Sequence, residues 1–72
     1  MDEDLFLKKI GENIVNVRNS KGLKQIDLAI KLNMEASSLR RIERGRTNTT
    51  LKILFRIAKA LEIEVQDILR ME

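Results

Sequence analysis

Apolar residues recur along this chain at the i, i+3, i+4, i+7 spacing of a helical face, and period-2 alternation is absent throughout. A chain patterned this way buries its apolar stripes only by packing helix on helix, so the fold class is all-α. Its 72 residues are expected to form one domain, 1–72, whose small core normally needs a staple. Neither cysteine nor histidine is present, which excludes disulfides, thiolate or imidazole metal sites and the commonest general base. No metal or other cofactor is implied, and no nucleophile–base pair that would make the chain an enzyme. Stability then rests on well-formed helix packing, self-association, or both.

The spacing predicts five helices. The first runs from about Asp4 to Lys21, with Phe6, Ile10, Ile14 and Val17 as its buried stripe and Gly22 placed for a left-handed stop. Gly11 inside it costs about 1 kcal/mol against alanine, and signals either close packing or simple tolerance. The second covers about Gln25–Leu32, with Ile26, Leu28 and Ala29 facing inward. The third covers about Ala36–Arg44, held by Leu39 and Ile42 and stopped at Gly45. A polar loop, Arg46 to Thr50, offers hydroxyls to cap the fourth helix at about Leu51–Leu61, and a last short helix spans about Val65–Met71.

Charge is distributed in three blocks that together give +3. Residues 1–7 and 60–72 each carry −3, while residues 8–59 carry +9. A basic middle between acidic ends suits a polyanion-binding face; a solvated helical surface is the plainer reading. The chain starts with Met1-Asp2-Glu3-Asp4, acidic where a signal peptide is basic, and no apolar run approaches the roughly 18 residues of a membrane span. A cytoplasmic protein without membrane contact is therefore expected.

Two short helices joined by Asn33-Met34-Glu35 meet the stereochemical tests of a helix-turn-helix over about residues 25–44. Ala29 is small where the second helix crosses the first. Asn33 is one of the few non-glycine residues that adopts the positive φ required by the turn. Leu28, Leu32, Leu39 and Ile42 supply buried pins. Leu23-Lys24-Gln25-Ile26-Asp27-Leu28-Ala29, then Leu39-Arg40-Arg41-Ile42-Glu43-Arg44-Gly45, then Leu51 with Ile57-Ala58-Lys59-Ala60-Leu61 resemble the Cro/repressor-type (XRE) helix-turn-helix family over about residues 9–70. The small size and the C-terminal helix are similar to restriction–modification controller proteins. This resemblance implies a compact five-helix, lambda-repressor-like fold with the motif in helices 2 and 3, operator binding and frequent dimerisation.

At 100° per residue from Leu39, Ile42 lies near −60° on the core side, whereas Arg40, Arg44, Ser37 and Arg41 fall at about 100°, 140°, 160° and −160°. In this motif that helix enters the major groove of double-stranded DNA. Ser37, Arg40 and Arg41, with Ala36 against a thymine methyl, are the expected base contacts. Lys24, Gln25, Arg44, Arg46, Thr47 and Asn48 are the expected phosphate contacts, Gln25 because it opens the second helix and because its family counterpart commonly serves there. Lys24 reads equally as a solubilising lysine, and Asn48 as a turn or cap residue. Glu35 stands where a Ser or Thr cap is commoner and would repel phosphate. Glu43, near 40°, lies beside the core and Arg18 flanks the buried stripe of the first helix, so both read as structural; the family resemblance implies that they form an ion pair.

Helix 4 has an apparent inward stripe of Leu51, Leu54, Ala58 and Leu61, which leaves apolar residues on other faces. The surplus predicts a homodimer through helices 4 and 5, with Ile53, Phe55, Ile57, Ile63, Val65, Ile68 and Met71 in the interface and a palindromic operator. The alternative is that helix 5 folds back and buries the surplus internally. The functional reading is a sequence-specific transcription regulator; the alternative is an antitoxin-like or assembly module using the same scaffold to bind protein.

Overall fold

A computed structural model describes residues 1–71, and Glu72, the last acid of the C-terminal block, lies outside that range. It contains α1 (Glu3–Ser20), α2 (Gln25–Leu32), α3 (Ala36–Glu43), α4 (Leu51–Leu61) and α5 (Val65–Leu69), with no strand among the described residues. Among those residues no helix is long and apolar enough to cross a membrane. α2 and α4 fall where the apolar spacing places them; the other three differ at their ends. Asp2 starts α1 one residue early, because its Oδ1 accepts the Leu5 N–H at 2.8 Å and so satisfies one of the free donors of the first turn. α3 closes at Glu43 rather than Arg44, ahead of Gly45 at φ 67°. α5 stops at Leu69 rather than Met71. There the Asn13 amide nitrogen donates to the carbonyls of Ile68 and Arg70, both at 2.7 Å, and binds the departing chain to α1.

The core draws on every helix: Ile10 and Ile14 from α1, Leu28, Ala29 and Leu32 from α2, Leu39 and Ile42 from α3, four residues of α4 and Ile68 of α5. Complete burial of a side chain such as Ile14 or Leu28 contributes roughly 1.5–3 kcal/mol.

Three residues expected inside are exposed. Phe6 (40%) sits on the first turn of α1, which overhangs the eight-residue α3 packed against it. Ile26 (51%) lies about 200° from Leu28 and so shares the outer face of α2 with Ile30. Leu51 (76%) begins α4 beyond the reach of the core, whose stripe is the i, i+3, i+4, i+7 set of Leu54, Ile57, Ala58 and Leu61. That one-turn slip corrects the expected dimer interface as well. Ile57 and Ile68 are fully buried within one chain and cannot meet a partner. α5 does fold back, as the alternative had it, and Ile63, Val65 and Met71 rest half-buried on the core.

Candidate nucleic-acid interface

The turn between α2 and α3 is built by Asn33 in the left-handed conformation (φ 53°, ψ 49°). Its N–H reaches the Ile30 carbonyl at 3.0 Å, and the Met34 N–H reaches that of Ala29 at 3.0 Å. Ala29 itself is buried beneath this crossing, which leaves no room for a larger side chain. Arg56 of α4 donates a further hydrogen bond to the Leu32 carbonyl, so the last turn of α2 is also fixed from below.

The back of α3 is fastened to α1 at close range. A Cβ on Gly11 would lie 2.2 Å from the Glu43 carbonyl oxygen, which decides its role: close packing of two backbones. Gly45, just beyond α3, combines φ 67° with a similar approach, 2.6 Å from the Lys8 Cα for a Cβ added there. Between these two points Glu43 turns its carboxylate inward. Arg18 grips it with one edge of the guanidinium, Nε to Oε2 at 2.8 Å and Nη2 to Oε1 at 3.1 Å, while Nη1 donates to the Leu23 carbonyl at 2.9 Å. Gln25 Nε2 donates to the same Oε1 at 2.8 Å. A single buried carboxylate thus gathers α1, the α1–α2 turn, α2 and α3, and its desolvation is offset by an opposite charge and three donated hydrogen bonds.

The front of α3 is committed to nothing. Ser37, Arg40, Arg41 and Arg44 are exposed, and among the described residues the side chains of these arginines, and of Arg46, have no hydrogen-bond or ion-pair partner. Ala36 is half-buried against the core. Arg41 shares a groove with Ser38, Thr47, Asn48 and Thr50, and Thr50 caps α4 through the Ile53 N–H at 3.1 Å. Arg44 and Arg46 share a second depression with Lys8 and Glu12. Lys24 is exposed at the N-cap of α2, where its N–H is taken by Asp27 at 2.8 Å, and Gln25 is half-buried with its amide nitrogen on Glu43. Ile53 lines the Arg41 groove, on the opposite side of α4 from Phe55, which removes it from the expected α4–α5 interface.

Sequence reasoning did not anticipate Gln25 as a third member of the buried network, nor Asn13, Arg56 and Lys8 in their places. Only Gly11 carried a usable signal, since a mid-helix glycine is costly unless another backbone passes close by.

Two short helices joined through a left-handed Asn33, the second exposing a cationic face and braced from behind by α1, define a class: the helix-turn-helix proteins. The comparisons narrow it. The helix-turn-helix family model matches residues 14–68, and the chain belongs to that family in its Cro/repressor (XRE) form. It is 41% identical over 59 residues to the immunity repressor protein of Bacillus phage phi105, covering 82% of this chain and 41% of that repressor, so it spans less than half of that relative's length. The restriction–modification controller protein C.AhdI from Aeromonas hydrophila superposes with a TM-score of 0.83 at 34% identity, covering 86% of this chain and 94% of the controller. The biofilm master regulator SinR, solved in complex with DNA, superposes with a TM-score of 0.78 at 32% identity, covering 85% of this chain and 98% of that one.

Proposed function

We propose that this chain binds a specific double-stranded operator with α3 in the major groove and regulates transcription from it. The observation that carries the reading is the unpaired arginine face of α3. The exposed guanidinium groups of Arg40 and Arg41, with Arg44 at the C-cap and Arg46 just beyond, form no ion pair within the chain and raise the local potential. Ser37, Arg40 and Arg41, with Ala36, meet base edges. Arg44, Arg46, Lys24, Thr47 and Asn48 meet phosphates, and Gln25 adds the second N–H of its amide while the first stays on Glu43.

The functional unit in this reading is a symmetric homodimer. Phe55 is exposed at the rim of a depression shared with Ala58, Lys59, Ile63, Glu64 and Val65, an apolar surface at the junction of α4 and α5. A dimer joined there is expected to set its two α3 helices in successive major grooves, about 34 Å apart. Selection of bound sequences from random duplexes tests both halves of the proposal. The expected result is a palindromic consensus with half-sites about one DNA turn apart. Phe55→Asp should sediment as a monomer and bind one half-site weakly. Binding with no sequence preference and no salt dependence would overturn the DNA reading in favour of a protein partner.

A further inference from the structure

Glu35 is the N-cap of α3, at φ −63° and ψ 139°. A carboxylate in that position ordinarily accepts a hydrogen bond from an amide of the first turn. This one does not. The Ser38 and Leu39 N–H groups bond to the backbone carbonyl of Glu35, at 3.0 and 3.1 Å, and the side chain has neither a cap bond nor an ion pair among the described residues. Asp2, the N-cap of α1, does accept such a bond, from the Leu5 N–H, whereas Glu64 at the N-cap of α5 makes none with its side chain. Glu35 is exposed and stands immediately before Ala36 and Ser37, at the end of α3 that meets base edges in this docking mode. An exposed carboxylate beside phosphates lowers affinity for DNA in general, unless it accepts a hydrogen bond from the DNA itself.

The chemistry restricts that contact. A carboxylate can only accept hydrogen bonds. In the major groove guanine presents N7 and O6 and thymine presents O4, all acceptors that repel it, while adenine places its N6 amine beside the N7 acceptor. Cytosine presents the N4 amine alone. We propose that Glu35 is a specificity-determining residue, which accepts a hydrogen bond from cytosine N4 and rejects the other bases at the pair it faces. The inference rests on α3 occupying the major groove. Arginines on the same helix favour guanine acceptors, so the carboxylate adds the opposite half of the donor–acceptor code to one short helix.

Binding of the wild-type chain, Glu35→Ala, Glu35→Gln and Arg41→Ala to operators varied at each half-site position, at one fixed salt concentration, tests it. Glu35 is exposed, and thermal melting of each variant establishes that the fold is retained. The wild-type chain is expected to favour cytosine at one position by roughly ten- to hundred-fold. Glu35→Ala should lose that preference while binding the other three bases more tightly than the wild type does. Glu35→Gln should shift the preference to adenine, whose N6 and N7 match an amide. A uniform gain across all four bases in Glu35→Ala, or no cytosine position in the wild type, would overturn the inference and leave the carboxylate as an electrostatic brake. Those outcomes are separate from failure of the groove placement, in which Arg41→Ala would also leave every base preference unchanged.

Discussion

The two faces of α3 belong to the same eight residues and obey opposite rules. On the inner face, backbones approach closely and the buried charge is satisfied: Gly11 under the Glu43 carbonyl, Gly45 against Lys8, and a carboxylate held by Arg18 and Gln25. On the outer face, the long side chains are exposed and unpaired. The inner face therefore spends its interactions on orientation and the outer face retains its interactions for a ligand. Substitutions on the two faces should separate cleanly, one set appearing in melting curves and the other in binding isotherms.

The largest effect is expected at Arg18. Arg18→Ala leaves Glu43 buried with one neutral partner, and breaking a buried pair in this way costs about 3–5 kcal/mol. The total stability of a small domain is on the order of 5–15 kcal/mol, so the melting temperature should fall steeply. An unchanged melting curve would break the comparison at its inner face. Gly11→Ala sharpens it further. The added methyl gains roughly 1 kcal/mol of helix propensity, yet it must displace a backbone carbonyl 2.2 Å away, and overpacking of this kind costs about 1–3 kcal/mol. A net loss of stability is expected in thermal melts, together with weaker DNA binding as α3 shifts off α1.

How far these faces could be read in advance depended on whether a residue acts locally. The five helices, the left-handed Asn33 and the small Ala29 follow from periodicity and turn stereochemistry, which are properties of short segments. The outer face of α3 was legible for the same reason, since 100° per residue suffices to place Arg40 and Arg41. Leu51 and Ile57 were exchanged because both flank Leu54 on one stripe of α4, and periodicity does not tell where along the helix the core ends. Ile68 was illegible in the same sense, because its burial depends on the chain folding back through Asn13, more than fifty residues away in sequence. Gln25 joined the Glu43 network only when α2 and α3 were set at their mutual angle, which no local pattern encodes.

On the outer face, Arg41→Ala or Arg40→Ala should leave the melting curve almost unmoved, because neither side chain supports the fold. In operator binding the loss should be about 1–3 kcal/mol and confined to one base pair per half-site, the signature of a bidentate contact. Measured against each single-base operator variant, the mutant should no longer distinguish the bases at that pair. If both arginines can be replaced with discrimination intact, α3 is not the reading helix and the two-face division fails at its outer side.

The smallest effect is expected where charge acts without geometry. Lys24 and Arg46 lie outside α3, at the N-cap of α2 and in the α3–α4 loop, and neither has an ion-pair partner among the described residues. A cation that neutralises one phosphate contributes through counterion release, a property of the DNA backbone shared by every sequence. Lys24→Ala or Arg46→Ala should therefore weaken operator and random duplex by the same factor. The slope of log affinity against log salt should become shallower by about one unit for each site lost. Titrations at several salt concentrations, on both duplexes, check this directly. A change in slope that appeared on the operator alone would mean that the residue is coupled to base reading, and the boundary of the outer face would have to be redrawn to include it.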